Sequence, residues 1–152
     1  MKVFNINPLM RDELLNLYKV LSSFKEVPEV LKTLKEKKFK LAILSNGTPT
    51  LLNELVKSNN LDKIFDDLFS IEQVGIYKPS SNVYDIPIKK YHVEKNEVAF
   101  LSANTWDVSG GGNYGYQSIW VNRNDNIFDN LDYKPRLEIK NLKDLLPKIE
   151  SY

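Results

Sequence analysis

At 152 residues, 42% hydrophobic and 27% charged, the chain has the size and balance of one globular domain with a single core. A net charge of +1 gives no electrostatic footing on nucleic acid or an anionic membrane, so no partner of either kind is expected. Without cysteine there are no disulfides, thiolate nucleophiles or Cys-held metals, and one histidine, His92, cannot form a metal-binding His cluster.

Residues 2–7 carry the weak alternation of a short strand that ends at Pro8. From Arg11 the period is helical, with Leu14, Leu15, Leu17, Tyr18 and Leu21 on one apolar stripe that closes near 22–23. Pro28 fits the first turn of a second helix over 29–38, with Val30, Leu31 and Leu34 inward. Lys35, Lys37 and Lys38 suit the negative end of its dipole.

Leu41-Ala42-Ile43-Leu44 is a continuous apolar run, which predicts a strand over 40–44 buried on both faces, as in a parallel sheet. Thr48 caps a helix to about residue 59, with Pro49 at its permitted first position. Residues 61–65 read as a short helical turn, 68–71 as a second strand and 75–79 as a loop. Ser80 caps a helix through Tyr91, which Pro87 should kink or stop.

A third strand at 98–101, a glycine-weakened helix at 105–114 and a fourth strand at 118–121 follow. A polar loop at 123–133, an edge strand at 137–139 and a closing helix at 142–149 complete the chain. Strands alternating with helices define an α/β chain with a mostly parallel sheet. Ligands of such sheets sit beyond the carboxyl ends of the strands, which singles out Ser45 with Asn46, and a second strand-then-polar pattern at 97–107 matches it. No apolar run approaches the ~20 residues of a membrane span and the first residues lack a signal-peptide core, so a cytoplasmic location is expected.

Four islands together resemble the L-2-haloacid dehalogenase branch of the haloacid dehalogenase (HAD) superfamily. They are Leu41-Ala42-Ile43-Leu44-Ser45-Asn46-Gly47; Tyr77-Lys78-Pro79 with Val83-Tyr84; Ser102-Ala103-Asn104-Thr105-Trp106-Asp107; and Trp120-Val121-Asn122-Arg123. Order and spacing agree across all four, over about residues 11–149. The resemblance implies a HAD-like, Rossmann-like three-layer core and hydrolysis of carbon–halide bonds in small L-2-haloalkanoic acids. An aspartate attacks the halogen-bearing carbon, and water then cleaves the resulting ester.

The resemblance gives each matching residue a role. Ser45 and Asn46 would receive the substrate's carboxylate and the departing halide. Lys78 would keep the nucleophile ionised, as an opposite charge at short range does. Asp107, with Ser102 and Asn104, would support Lys78 and the hydrolytic water. Tyr84 and Trp106 match residues beside the substrate, although each also reads as a core aromatic. Asp107 alone also reads as a first-turn acid serving the helix dipole, and Ser-Asn-Gly as a simple capped turn. Phosphatases of the superfamily carry an acidic magnesium ligand where Ser102 stands, so the branch implied here uses no metal and no cofactor.

The family's first motif, an Asp at a strand end, has no intact counterpart, and most of the cap is absent. The expected organisation is one domain over 1–152. Residues 1–10 are a remnant first strand, 11–27 a cap-derived helix and return linker, and 28–152 the core. Asn5 loosely occupies the nucleophile's position, and asparagine is neutral, so turnover by this chain alone should be severely impaired. The alternatives are an inactive truncated remnant, a small-anion- or partner-binding module and, less favoured, a phosphatase. The first strand lies mid-sheet in this fold, so its slot must be filled. Residues 3–6 are expected there, with a second copy or a complementing N-terminal fragment as the other candidates. Gly110-Gly111-Gly112 is read as a softened wall behind Asp107.

Overall fold

The computed structural model describes residues 7–149. The expected first strand, the proposed filler 3–6 and Asn5 therefore lie outside the described residues.

Helix α1 (Arg11–Leu17) runs into a 3-10 turn at Tyr18–Val20, and α2 (Val27–Glu36) follows. Then come β1 (Ala42–Ser45), α3 (Pro49–Ser58), β2 (Asp67–Ser70), α4 (Ser81–Tyr91) and β3 (Ala99–Ser102). The chain ends in α5 (Thr105–Tyr114), β4 (Gln117–Val121), β5 (Leu137–Ile139), a 3-10 turn at Leu142–Leu145 and α6 (Leu146–Ile149). All pairing is parallel: β1 with β2, and β3-β4-β5 in that order, with β5 at the edge as expected. One core joins both sheets. Val30, Leu31 and Leu34 of α2 meet Val56, Leu61, Ile119, Val121 and Ile139, with Ile43, Leu68 and Leu101 packed against them.

Local signals account for most boundaries. Thr48 Oγ1 accepts the Leu51 N–H at 3.3 Å and Pro49 opens α3. His92 ends α4 in the left-handed region at φ 54°. Ser80, by contrast, makes no side-chain capping bond. Pro87 neither stops nor shortens α4, because its ring is buried and losing one ladder bond leaves the flanking turns intact. Residues 61–65 form a single turn, the Ile64 and Phe65 N–H groups both donating to the Leu61 carbonyl.

Two expectations fail in an instructive way. The α1 stripe is not enclosed: Leu15, Leu17, Tyr18 and Leu21 are each about half-exposed, although the turn that follows α1 lies against α3 through the Lys19–Glu54 ion pair and the Asn59 bond to the Leu21 carbonyl. Strand β1 is not enclosed on both faces either. Ala42 is exposed and Ile43, Leu44 and Ser45 are half-buried, and β3 repeats this pattern with Ala99 exposed. The second strand of each sheet is better covered, most of β4 being fully buried. In a continuous parallel sheet the central strands are the most enclosed. Here β1 and β3 each lack a neighbour on one side among the described residues.

Candidate active site

The carboxyl ends of β1 and β3 meet through one buried ion pair. Lys78, in the loop before α4, places its Nζ 2.7 Å from Asp107 Oδ2, and the two side chains are only 8% and 5% exposed. The same ammonium donates to the Leu44 carbonyl at 3.1 Å, so it ties the end of β1 to the first turn of α5. Its charge also lies 5.5 Å from the Phe100 ring centre and 6.0 Å from that of Trp106.

Asp107 accepts from three donors. Besides Lys78, Ser102 Oγ donates to Oδ2 at 3.0 Å and the Tyr84 hydroxyl to Oδ1 at 2.8 Å. A carboxylate this buried is tolerable because it is paired and hydrogen-bonded. Tyr84 is fully enclosed. Burial first, then the adjacent Asp107 charge, pushes its phenol far above the ordinary value of 10.0, so it stays a donor. Tyr84, expected near the substrate, lies fully buried with its hydroxyl on Asp107. Its ring packs edge-on against Phe100 and Tyr116, and the Tyr116 hydroxyl donates to the Tyr84 carbonyl.

Ser45 and Asn46 lie on the β1 side of Lys78. Ser45 Oγ accepts the Gly47 N–H at 3.0 Å, and Asn46 Oδ1 accepts the Lys78 N–H at 3.1 Å. The carboxamide thus fixes the backbone that carries the ammonium. Ser70, at the end of β2, was not singled out in the sequence, yet its buried hydroxyl donates to the Gly47 carbonyl at 2.7 Å and braces this turn. A serine at a strand's carboxyl end was the available signal. Asn104 stands apart as an exposed residue whose N–H donates to Ser102 Oγ at 3.2 Å. With Trp106, which is 39% exposed, it lines an open cleft of about 580 Å³ that also touches Trp120 and Asp129.

The three glycines of α5 are packing positions and not a soft wall. A Cβ on Gly110 would come within 2.6 Å of the Tyr84 hydroxyl and 2.7 Å of Pro79 Cβ. One on Gly111 would meet Phe100 at 2.6 Å, and one on Gly112 would overlap the Tyr133 ring. The glycines let α5 approach α4 and β3 closely enough for Tyr84 to reach Asp107.

The arrangement offers a fixed cation, a hydrogen-bonded carboxylate and polar groups at the ends of two parallel strands. Among the described residues no three His, Cys, Asp or Glu side chains gather as a metal site, and no helix is long and apolar enough to cross a membrane. These groups stand at the carboxyl ends of parallel strands, where ligands of α/β sheets bind. The sequence profile of the haloacid dehalogenase-like hydrolases matches residues 5–121, and the chain belongs to that family. It is 34% identical over 141 residues to (S)-2-haloacid dehalogenase of Pseudomonas sp. (strain YL), a match covering 93% of this chain and 61% of the relative. It is 36% identical over 117 residues to (S)-2-haloacid dehalogenase 4A of Burkholderia cepacia, covering 77% and 51%. A crystal structure of an L-2-haloacid dehalogenase superposes with a TM-score of 0.91 at 31% identity, covering 95% of this chain and 64% of that one. The chain thus spans about half to three-fifths of the length of these two curated relatives.

Proposed function

We propose that this chain carries the lysine-bearing part of a metal-independent (S)-2-haloacid dehalogenase, acting on small L-2-haloalkanoic acids through an aspartyl ester. The observation behind this reading is the Lys78–Asp107 pair, anchored on the Leu44 carbonyl and flanked by Ser45 and Asn46. Ser45 and Asn46 bind the substrate carboxylate and receive the halide. Lys78 holds the attacking carboxylate ionised and close. Asp107, oriented by Tyr84 and Ser102, draws a proton from the water that opens the ester, with Asn104 nearby. Trp106 closes the substrate's apolar side.

No second carboxylate is bonded to Lys78 among the described residues to act as the nucleophile. Asp107 is engaged by three donors and is the only carboxylate bonded to Lys78 among the described residues, so poor turnover is expected of residues 7–149 alone. That same fact favours a second reading, a small-anion-binding module without turnover. Chloride release from L-2-chloropropionate, measured beside binding of the same acid, separates the two. Binding seen as shifts of the Ser45, Asn46 and Gly47 amides, and lost in Lys78→Met, supports the site; absence of binding overturns it. An Asn5→Asp chain that releases chloride would assign the nucleophile's position to residue 5. Binding with silence from both chains means that a carboxylate must come from elsewhere or that the chain only binds.

A further inference from the structure

Gly47 is where the β1 side of the site joins the rest of the sheet. A Cβ there would press on Ser45 Oγ at 3.3 Å and on Leu52 Cδ2 at 3.4 Å, so the position suits a residue without a side chain. Glycine does little to fix its own dihedrals, and the turn must be held from outside. Two serines hold it. Ser45 and Ser70 are register partners at the carboxyl ends of β1 and β2. The Gly47 N–H bonds to Ser45 Oγ at 3.0 Å, and the Gly47 carbonyl bonds to Ser70 Oγ at 2.7 Å.

The direction of each bond follows from the backbone, because an N–H only donates and a carbonyl only accepts. Ser70 Oγ therefore accepts the Glu72 N–H at 3.2 Å and gives its one proton to the Gly47 carbonyl. Ser45 Oγ accepts from Gly47, which leaves its own proton to donate toward an anion at Lys78. The same turn carries Asn46, whose Oδ1 accepts the Lys78 N–H at 3.1 Å, and the Lys78 ammonium donates back to the Leu44 carbonyl. Ser70 is 1% exposed, too enclosed to touch a ligand itself. Its influence on the site passes through Gly47.

We propose that Ser70 is a positioning residue of this site. Its hydroxyl holds Gly47 in the orientation in which Ser45 donates to a small carboxylate while Asn46 holds Lys78. The carboxylate rests on the dehalogenase reading; the fixing of the turn does not. Without that hydroxyl the Gly47 carbonyl and the Glu72 N–H each lose a partner, and the Ser45–Gly47 bond loosens with them.

Two readouts on the full chain test this. One is binding of L-2-chloropropionate, followed at the Ser45 and Asn46 amides; the other is hydrogen exchange at the Gly47 amide without ligand. Ser70→Ala should weaken binding and speed Gly47 exchange, each by about fivefold to tenfold, the worth of one hydrogen bond. Ser70→Cys nearly keeps the size but donates weakly, so it should resemble Ser70→Ala. Tyr91→Phe breaks the Tyr91–Asp67 bond at the opposite end of β2. It should lower Tm yet leave binding and Gly47 exchange as they are in the parent chain. Parent-like binding or exchange in Ser70→Ala would overturn the proposal. Parent-like behaviour of Ser70→Cys would reduce Ser70 to a filler of space, and equal losses in Tyr91→Phe would reduce it to a general stabiliser; either overturns it. If the parent chain binds no acid, the dehalogenase reading fails and Gly47 exchange alone decides. Faster exchange in Ser70→Ala but not in Tyr91→Phe then upholds Ser70 as the residue that positions the turn, and unchanged exchange overturns it.

Discussion

Asp107 is the residue on which the site's geometry turns, and its three partners act in different ways. Lys78→Met should leave a buried carboxylate with two hydroxyl donors and no cation, costing about 3 kcal/mol in urea unfolding. Tyr84→Phe removes one buried donor while keeping the ring, and about 1–2 kcal/mol is expected from the same measurement. The two losses should not add, because both variants strip the same carboxylate. Lys78 and Asp107 were legible in the sequence through the motifs around them. The role of Tyr84 was not, because its hydroxyl meets Asp107 across 23 positions and between two helices. A core aromatic and a positioning hydroxyl look alike until α4 is laid against α5.

Among the elements, α5 shows where local propensity misleads. Helix propensity alone would make Gly110→Ala stabilising by about 1 kcal/mol. The contacts reverse that sign, since the added methyl would press on Tyr84 and Pro79, and overpacking costs about 1–3 kcal/mol. A lower Tm for Gly110→Ala is the expected result. The glycines could be counted in the sequence, but what they touch comes from other elements. The start of β1 is held by a different device. Burial alone would raise Asp66, but bonds from Lys35, the Leu41 N–H and Lys40 outweigh it and bring the carboxyl down from 3.8 to about 2. Because its folded value lies below its unfolded one, this contribution is full above pH 3.8 and fades as pH falls toward 2. An Asp66→Asn chain should be less stable at pH 6 by on the order of 1–2 kcal/mol and should converge on the parent by about pH 2, followed by urea midpoints.

At the scale of the molecule, the order of strands and helices, the α2 core face and the polar carboxyl ends followed from period and capping signals. What did not follow was burial, because apolar pattern reports which surfaces need a partner and not whether one is present. The α1 stripe and the β1 run carry the signature of enclosed elements, yet the described residues leave both half-open. Leu15→Lys together with Leu17→Lys should therefore leave the chain's own stability within about 0.5 kcal/mol in thermal unfolding. In an enclosed helix the same pair would be ruinous.

The parallel pairing of β1 with β2, and of β3 with β4, also limits how each pair can be joined. Antiparallel neighbours can be joined by a two-residue turn, but parallel ones need a crossover of about a dozen residues or more. No tight hairpin can join either pair. A protein engineer grafting a further parallel strand onto either sheet would have to supply a long return path over one face. A short loop insertion after Ser45 or Ser102 would instead send the new strand back antiparallel to the one it leaves.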